Sequence, residues 1–206
     1  MEQRYLPMHE VTIRSDENEN PILEGYFVRY DDVYVVAPGA TESIARGAFA
    51  DSIKGDVRAL YNHNSDIVLG RTSAGTLELK DTQDGLWGRI KINPKDTQAM
   101  DAYQRVARGD ITGCSFGFEI PPGGEITDIR DNGTVHWTIT KVDPLYEVSP
   151  CVFPAYEATS VSARAKDLDI IKQRSLDAWK TKMKERLNNA KSIDAEKADQ
   201  RQEETA

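Results

Sequence analysis

The fold is organised around residues 108–119, which read Arg108-Gly-Asp-Ile-Thr-Gly-Cys-Ser-Phe-Gly-Phe-Glu119. A helix-patterned segment leads into this stretch, and an apolar, strand-like run leaves it. Gly109 and Gly113 allow backbone conformations that a side chain would forbid. Ser115 therefore lies at the mouth of a strand after a turn, where a serine is a candidate nucleophile. Because serine is also common in ordinary turns, this hypothesis requires a base and an orienting group elsewhere in the chain.

Two helices are predicted on the N-terminal side of this stretch. Residues 94–108 place apolar side chains on one stripe, and Asp96 or Thr97 suits the N-cap position. A shorter helix is predicted for Ile44–Ile53, where apolar residues again recur at helical spacing and Gly55 follows as a stop.

Short strands account for most of the remaining pattern. Ile22–Tyr30 and Val33–Ala37 are predicted to form a β-hairpin with Asp31-Asp32 as its turn. Many short strands with few helices are typical of an antiparallel β-barrel or sandwich decorated by two helices. The predicted fold class is therefore mainly β with helices (α+β). Further strands are predicted at residues 9–14, 57–61, 68–71, 76–80, 85–92, 115–120, 134–142 and 145–152.

The composition changes at Lys166. Residues 166–206 carry ten Lys and Arg residues against nine Asp and Glu, so the net charge of −8 comes from the earlier part of the chain. Apolar residues there recur every three to five positions, which predicts one amphipathic helix. The sequence past Ile193 is polar enough to be disordered. We therefore predict two parts: a folded domain at residues 1–165 and a charged, amphipathic helical tail at residues 166–206.

The composition also argues against several classes of protein. A net charge of −8 disfavours a nucleic-acid-binding surface spread over the whole protein. The sequence contains no run of about 18 apolar residues, the length that a membrane-spanning helix needs. The N-terminal residues lack the apolar segment of a secretory signal. Cys114 and Cys151 provide neither a disulfide framework nor zinc-ligand spacing. The expectation is a cytosolic protein with reduced thiols, no metal and no cofactor.

Few residues could act as a histidine base, because the chain has only three histidines, His9, His63 and His136. Acyl transfer by serine needs a base and a group that fixes the tautomer of that base. His63 is the best candidate, since it follows a predicted strand, where reactive side chains are normally displayed. An ordinary surface-loop histidine is the alternative interpretation. His136, on the polar face of a predicted hairpin strand, is the rival third member of a triad.

Glu147 is the candidate orienting group. It lies in the apolar strand Pro144-Leu-Tyr-Glu-Val-Ser-Pro150, where a carboxylate is costly unless it is paired or hydrogen-bonded. An outward-facing strand position is the alternative interpretation. Cys114 is a rival nucleophile, since thiols are stronger nucleophiles than hydroxyls. Neighbouring strand residues point to opposite faces, so only one of Cys114 and Ser115 can face the base; we favour Ser115.

Several short segments form a specific combination, in a specific order, although each alone is a weak signal. They span about residues 24–162 and are Gly25-Tyr-Phe27, Arg46-Gly-Ala-Phe-Ala-Asp-Ser-Ile53, Tyr61-Asn-His-Asn64, Val68-Leu-Gly-Arg71, Asp84-Gly-Leu86, Arg108–Phe118, Tyr146-Glu-Val-Ser-Pro150 and Pro154-Ala155. Together they resemble the prohead maturation proteases of tailed bacteriophages, a serine peptidase family related in fold to the herpesvirus protease assemblin.

This resemblance implies a triad of Ser115 as nucleophile, His63 as base and Glu147 as orienting group. It also implies a compact, assemblin-like β-barrel surrounded by a few helices. Assemblin uses a second histidine where this family uses an acid, which keeps His136 as an alternative. Backbone N–H groups are the expected oxyanion-hole donors.

The resemblance further implies a substrate and a location. Family members cleave the scaffold, or the scaffolding part of the major capsid protein, inside the procapsid in the host cytoplasm, and they often cleave themselves. Self-cleavage is expected to remove part of residues 163–206. The expected partners are capsid and scaffold proteins, with a homodimer as an open alternative to a monomer, and neither nucleic acid nor membrane. A non-catalytic capsid-assembly module that docks through its C-terminal helix is the alternative function.

Overall fold

The computed structural model describes residues 2–7, 9–15, 20–130, 133–152, 170–171, 173–174, 177 and 180–184. The chain divides into two units, residues 1–162 and residues 163–206. Strands and one α-helix make up the described part of the first unit. They are β1 (Glu2–Pro7), β2 (His9–Ser15), β3 (Pro21–Arg29), β4 (Tyr34–Ala37), β5 (Ala40–Ile44), β6 (Arg58–Tyr61), β7 (Asn64–Arg71), β8 (Leu77–Asp81), β9 (Gly85–Lys91), α1 (Thr97–Ala107), β10 (Gly113–Phe118), β11 (Glu125–Ile129), β12 (Val135–Ile139) and β13 (Leu145–Cys151), with a 3₁₀ turn at Ser52–Lys54.

The strands form three sheets. A five-stranded sheet has the order β1-β10-β13-β6-β7, and two four-stranded sheets have the orders β11-β12-β5-β4 and β2-β3-β9-β8. Most neighbours are antiparallel, but β13 runs parallel to β6 and β12 runs parallel to β5. The α+β class is therefore correct at the level of mostly β structure with few helices.

The predicted closed antiparallel barrel is wrong for the described strands. Each sheet keeps two edges, and several edge strands carry polar or charged side chains that discourage pairing with another chain. β7 is exposed along most of its length, with Asn64 and Asp66 near one end, and β11 carries Glu125 and Asp128. A sheet with such edges is stable in water without closing on itself.

One hydrophobic core lies on the inner face of β10. Cys114, Phe116 and Phe118 alternate along the strand and are fully buried in it. Phe116 stacks on Phe118 with ring centroids 4.9 Å apart and meets Phe49 edge-on at 5.7 Å. Burying each such ring stabilises the fold by about 1.5–3 kcal/mol. The core therefore fixes one face of β10 and leaves Ser115 on the other.

Helix α1 leads the chain into β10. The Asp96 carboxylate accepts hydrogen bonds from the backbone N–H groups of Gln98 and Ala99, so it caps the helix. This cap explains why the helix begins at Thr97 rather than at the predicted residue 94. The helix ends at Ala107, and Gly109 follows with φ of 81°, a left-handed conformation that suits glycine.

Two local predictions are wrong. β3 and β4 do not form a hairpin: β3 pairs with β2 and β9, whereas β4 pairs with β5 in another sheet. Nearly all of β3 is buried, so water cannot satisfy its backbone N–H and C=O groups, and a neighbouring strand is needed on each side. The helix predicted at Ile44–Ile53 is a series of turns before the 3₁₀ turn, interrupted by Gly47 at φ of 79°.

Most of the predicted C-terminal tail lies outside the described residues. Within residues 166–206, the described positions are 170–171, 173–174, 177 and 180–184, and each is in helical conformation. The two-part division at residue 165 and the predicted disorder past Ile193 stay predictions. In the described part of the chain, no helix is long and apolar enough to cross a membrane.

Candidate active site

Ser115 lies in the middle of β10, with strands on both sides. On one side it is paired with Tyr5 of β1, and on the other with Ser149 of β13. Its side chain leaves the strand on the face opposite Cys114, because neighbouring strand residues alternate. Ser115 is fully buried. Because β10 pairs with a strand on each side, the sheet fixes the backbone position of Ser115.

His63 lies in a tight turn between β6 and β7. Tyr61 pairs with Asn64, and the two residues between them, Asn62 and His63, have φ of 54° and 59°. Two successive left-handed residues define a type I′ hairpin turn. Apart from glycine, asparagine, aspartate and histidine adopt this conformation most readily, and sparsely populated backbone conformations cluster at functional sites.

The turn is anchored to β13. The backbone N–H of Asn62 donates to the Pro150 carbonyl at 3.0 Å. The side-chain oxygen of Asn62 accepts a longer hydrogen bond, 3.4 Å, from the Val152 N–H. These contacts hold the histidine turn beside the strand that carries Glu147.

His63 and Glu147 form a close hydrogen bond. The His63 Nδ1 atom lies 2.8 Å from Glu147 Oε1, and the side chains are 15% and 4% exposed. A carboxylate can only accept, so Nδ1 carries the proton and donates it. The Nε2 atom of a neutral ring is then an acceptor, as a general base requires.

A second hydroxyl completes the surroundings of the carboxylate. The Ser149 hydroxyl donates to Glu147 Oε2. Ser149 is fully buried and lies directly across from Ser115 on the neighbouring strand. Directly opposed residues of an antiparallel pair have Cβ atoms about 4.5–5.5 Å apart. Cross-strand pairing and hydrogen bonds thus connect Ser115, Ser149, Glu147 and His63 in sequence.

Two buried polar atoms in this region have no hydrogen-bond partner among the described residues: His63 Nε2 and Ser115 Oγ. No hydrogen bond joins them to each other in this conformation. One is an acceptor and the other can donate, so they are complementary. Buried polar side-chain atoms are normally hydrogen-bonded, and catalytic hydrogen bonds often tighten only when substrate binds.

The two thiols are poorly suited to nucleophilic chemistry. Burial, and then the nearby Cys151, raises the pKa of Cys114 well above its usual value. Burial, and then the charge of Glu147, raises the pKa of Cys151 to about 12. The Cys114 thiol contacts the Phe27 carbonyl at 3.1 Å, on the core side of β10. Near neutral pH both groups therefore remain protonated, and a protonated thiol is a much weaker nucleophile than a thiolate.

The other histidines lie elsewhere. His136 is in β12, in a different sheet, where its Nδ1 lies 2.8 Å from the Thr41 hydroxyl and its Nε2 lies 2.9 Å from the Ser43 hydroxyl. Both ring nitrogens are therefore engaged away from Glu147. His9 is in β2, which also belongs to another sheet.

The His63–Glu147 pair can act chemically as an oriented base, while His63 Nε2 and the Ser115 hydroxyl are not hydrogen-bonded to each other. Within the described ranges, no group of three or more His, Cys, Asp and Glu side chains is placed to hold a metal ion. The sequence alone does not single out Ser149, although its spacing of two residues from Glu147 on a strand puts both side chains on one face. Nor does it predict the left-handed turn, because an Asn-His pair between two strands is only a weak turn signal.

Comparisons with known proteins match this chain to a family model and to two similar proteins. A family model described as Caudovirus prohead serine protease matches residues 9–174. The prohead protease of Enterobacteria phage HK97 is 25% identical over 164 residues, which cover 76% of this chain and 67% of that protein. The solved structure of the bacteriophage T4 capsid assembly protease aligns with a TM-score of 0.41 and 12% identity, covering 72% of this chain and 98% of that chain.

Proposed function

The chain belongs to the Caudovirus prohead serine protease family, and we propose that it is a serine endopeptidase whose triad is Ser115, His63 and Glu147. In this proposal Ser115 is the nucleophile, His63 the general base and Glu147 the group that orients the imidazole. The family match supports protease activity, and the geometry of the three side chains supports the roles.

One observation carries the assignment of the roles. The described residues leave only two buried side-chain polar atoms without a partner, Ser115 Oγ and His63 Nε2. A Ser–His pair needs these same two atoms to exchange a proton. A nucleophile and its base must both be free to exchange a proton. Among the described residues, these two are the buried side-chain atoms that remain available.

The reaction follows from the positions of the protons. Ser115 Oγ attacks the carbonyl carbon of the scissile peptide bond while its proton moves to His63 Nε2. Glu147 accepts from Nδ1 and stabilises the imidazolium that forms. The proton on Nε2 then passes to the leaving amine, the C–N bond breaks, and an acyl-enzyme on Ser115 remains. Water then attacks the ester carbon while its proton moves to His63 Nε2; the C–O bond to Ser115 breaks, and the proton on Nε2 returns to Ser115 Oγ.

The proposed substrate is a capsid or scaffold protein. The chain would cleave the scaffold, or the scaffolding part of the major capsid protein, inside the procapsid in the host cytoplasm. Support comes from the family description and from the HK97 relative, which is a prohead protease. We further propose residues 1–165 as the protease domain and residues 166–206 as a tail that self-cleavage shortens; a homodimer stays a prediction.

The alternative, a non-catalytic assembly module that docks through its C-terminal helix, stays a prediction without support from a described contact. It requires neither the His63–Glu147 hydrogen bond nor a serine beside it. The same experiment separates the two functions, because only the protease depends on the Ser115 hydroxyl.

Co-expression with the capsid protein of the same phage tests the proposal. With wild-type protease, mass spectrometry of the capsid protein should show a shortened terminus; with Ser115→Ala it should show the full-length protein. Cys114→Ala, which changes the neighbouring residue on the other face of β10, should still give the shortened form. Trimming by Ser115→Ala would refute the assignment.

A further inference from the structure

Ser149 has no part in the reaction described above, although it belongs to the segment Tyr146-Glu-Val-Ser-Pro150. It is fully buried and follows Glu147 by two positions on β13, so the two side chains leave the same face of the strand. It is also paired directly with Ser115 on β10. Ser149 is therefore adjacent to both the proposed nucleophile and the proposed orienting group.

The contacts of Ser149 define a specific task. Its hydroxyl donates to Glu147 Oε2, while His63 Nδ1 donates to Oε1, so each carboxylate oxygen has a donor. We propose that Ser149 is a positioning residue, whose hydrogen bond fixes the plane of the Glu147 carboxylate and thereby the orientation of the His63 ring. This inference rests on the proposed function, because it concerns the same triad.

The physical reason lies in the last torsion angle of glutamate. Rotation about this sp³–sp² bond has a broad energy profile, so a carboxylate held at one oxygen turns easily. A second donor on the other oxygen sets the plane. Glu147 is only 3% exposed, so solvent has little access to replace the hydroxyl. Without Ser149, Oε2 loses a buried hydrogen bond, and the carboxylate is expected to turn away from its alignment with Nδ1.

The same contacts argue that Ser149 is not itself the nucleophile. Its proton is donated to Glu147, whereas the Ser115 hydroxyl has no hydrogen-bond partner among the residues that the structure describes. A hydroxyl that donates to the carboxylate cannot at the same time pass its proton to His63 Nε2. Replacement of Ser149 should therefore slow the reaction without removing the nucleophile.

Steady-state kinetics test the role, with a peptide that spans the junction cleaved in the capsid protein by wild-type enzyme. For Ser149→Ala we expect kcat to fall about tenfold, the scale of one lost hydrogen bond to a charged group, while KM changes by less than about twofold. Ser149→Thr keeps the hydroxyl and should restore most of kcat. Ser52→Ala is the matched control: Ser52 is 4% exposed and donates to the Phe49 carbonyl at 3.2 Å, away from the triad, so its kcat should not change.

Coupling to Glu147 distinguishes positioning from a purely structural role. On a Glu147→Gln background, Ser149→Ala should cost less than about twofold further, because its effect passes through that carboxylate. The inference would be overturned if the double variant lost kcat by the product of the Glu147→Gln and Ser149→Ala losses. Equal kcat losses in Ser149→Ala and Ser52→Ala would also overturn it. If Ser149→Ala does not fold, Ser149→Cys fills the site with a weak donor; it should show the same kcat loss, and a wild-type kcat would overturn the inference.

The inference and the proposed function fail in different ways. Cleavage by Ser115→Ala would defeat the proposed function, and this inference with it. An inactive Ser115→Ala together with a fully active Ser149→Ala would leave the triad intact and defeat the positioning role alone.

Discussion

At the residue scale, alternation along β10 separates two adjacent nucleophilic side chains. Cys114 faces the core and Ser115 faces the other side, paired with Ser149. The sequence predicts that the two point in opposite directions, because any strand requires it. Which of the two meets the histidine depends on partners more than 30 residues away along the chain, so the choice could only be a hypothesis before the fold was known.

Burial of the thiols predicts how they respond to pH. Because the pKa of Cys114 lies well above its usual value and that of Cys151 is about 12, the thiolates form only at strongly alkaline pH. We expect both thiols of the native protein to resist iodoacetamide even at about pH 9, where an ordinary cysteine reacts readily. In urea both should react fully, as mass spectrometry would show. Rapid alkylation of the folded protein at that pH would contradict the buried arrangement.

We expect replacement of the Glu147 carboxylate to slow peptide cleavage without unfolding the protein. In Glu147→Gln the side chain loses its charge, and its NH₂ group can donate to His63 Nδ1, which favours the tautomer with the proton on Nε2, where the Ser115 proton must go. We expect kcat to fall about 10³–10⁴-fold, measured with the capsid-protein junction peptide.

The matched control for this variant is Glu24→Gln. Glu24 is another buried carboxylate, 7% exposed and bonded to Arg89 at 2.7 Å in a different sheet. That variant should lose stability but keep its kcat. A Glu147→Gln enzyme with the wild-type kcat would remove Glu147 from the triad.

At the scale of elements, the turn between β6 and β7 positions His63, the proposed base. Its two left-handed residues reverse the chain within two positions, and its hydrogen bonds to Pro150 and Val152 set it against β13. A strand ending before His63 is readable in the sequence. The turn type is not, because Asn-His lacks the glycine that marks a type I′ turn, although both residues tolerate left-handed positions; here tertiary contacts hold the turn in place.

A pair of substitutions tests the backbone conformation of this turn. Both Asn62→Ala and Asn62→Gly remove the side-chain hydrogen bond, but only glycine accepts φ of 54° without strain. The alanine variant should therefore be less stable than the glycine variant by about 1 kcal/mol in urea denaturation, with a lower kcat. Equal stability of the two variants would show that the left-handed turn is not populated in solution.

Strand positions were more predictable than strand partners. β9 covers most of its predicted range, and its apolar face of Leu86, Gly88 and Ile90 is buried as alternation requires. The expected pairing of β3 with β4 was wrong, because short-range turn signals favour a hairpin, whereas burial on both sides gives β3 two other partners. Pairing depends on long-range packing that a local pattern does not contain.

At the scale of the whole molecule, one of the three sheets, the five-stranded one, brings together the distant segments that carry Ser115, Glu147 and His63. The five-stranded sheet places β10 between the N-terminal strand β1 and the late strand β13, and the parallel pairing of β13 with β6 brings the histidine turn alongside. The barrel prediction failed because counts of short strands do not reveal parallel pairings between segments far apart in sequence.

The proposed self-cleavage makes a prediction for the complete chain. On incubation, the active protein should lose part of residues 163–206, since this segment follows the unit that contains the proposed triad. Intact mass measurement should show a shortened product for wild type and the full-length mass for Ser115→Ala. A full-length wild-type mass after long incubation would contradict self-cleavage within this segment.

The central claim is that Ser115 is a nucleophile activated by His63, and labelling with a fluorophosphonate tests it most directly. In this reaction the Ser115 oxygen bonds to phosphorus, fluoride leaves, and His63 takes the hydroxyl proton. Peptide mass mapping should find a single adduct, on Ser115, in the wild-type protein, none in Ser115→Ala, and strongly slowed labelling in His63→Ala. An adduct on another residue, or wild-type labelling rates in His63→Ala, would contradict the claim.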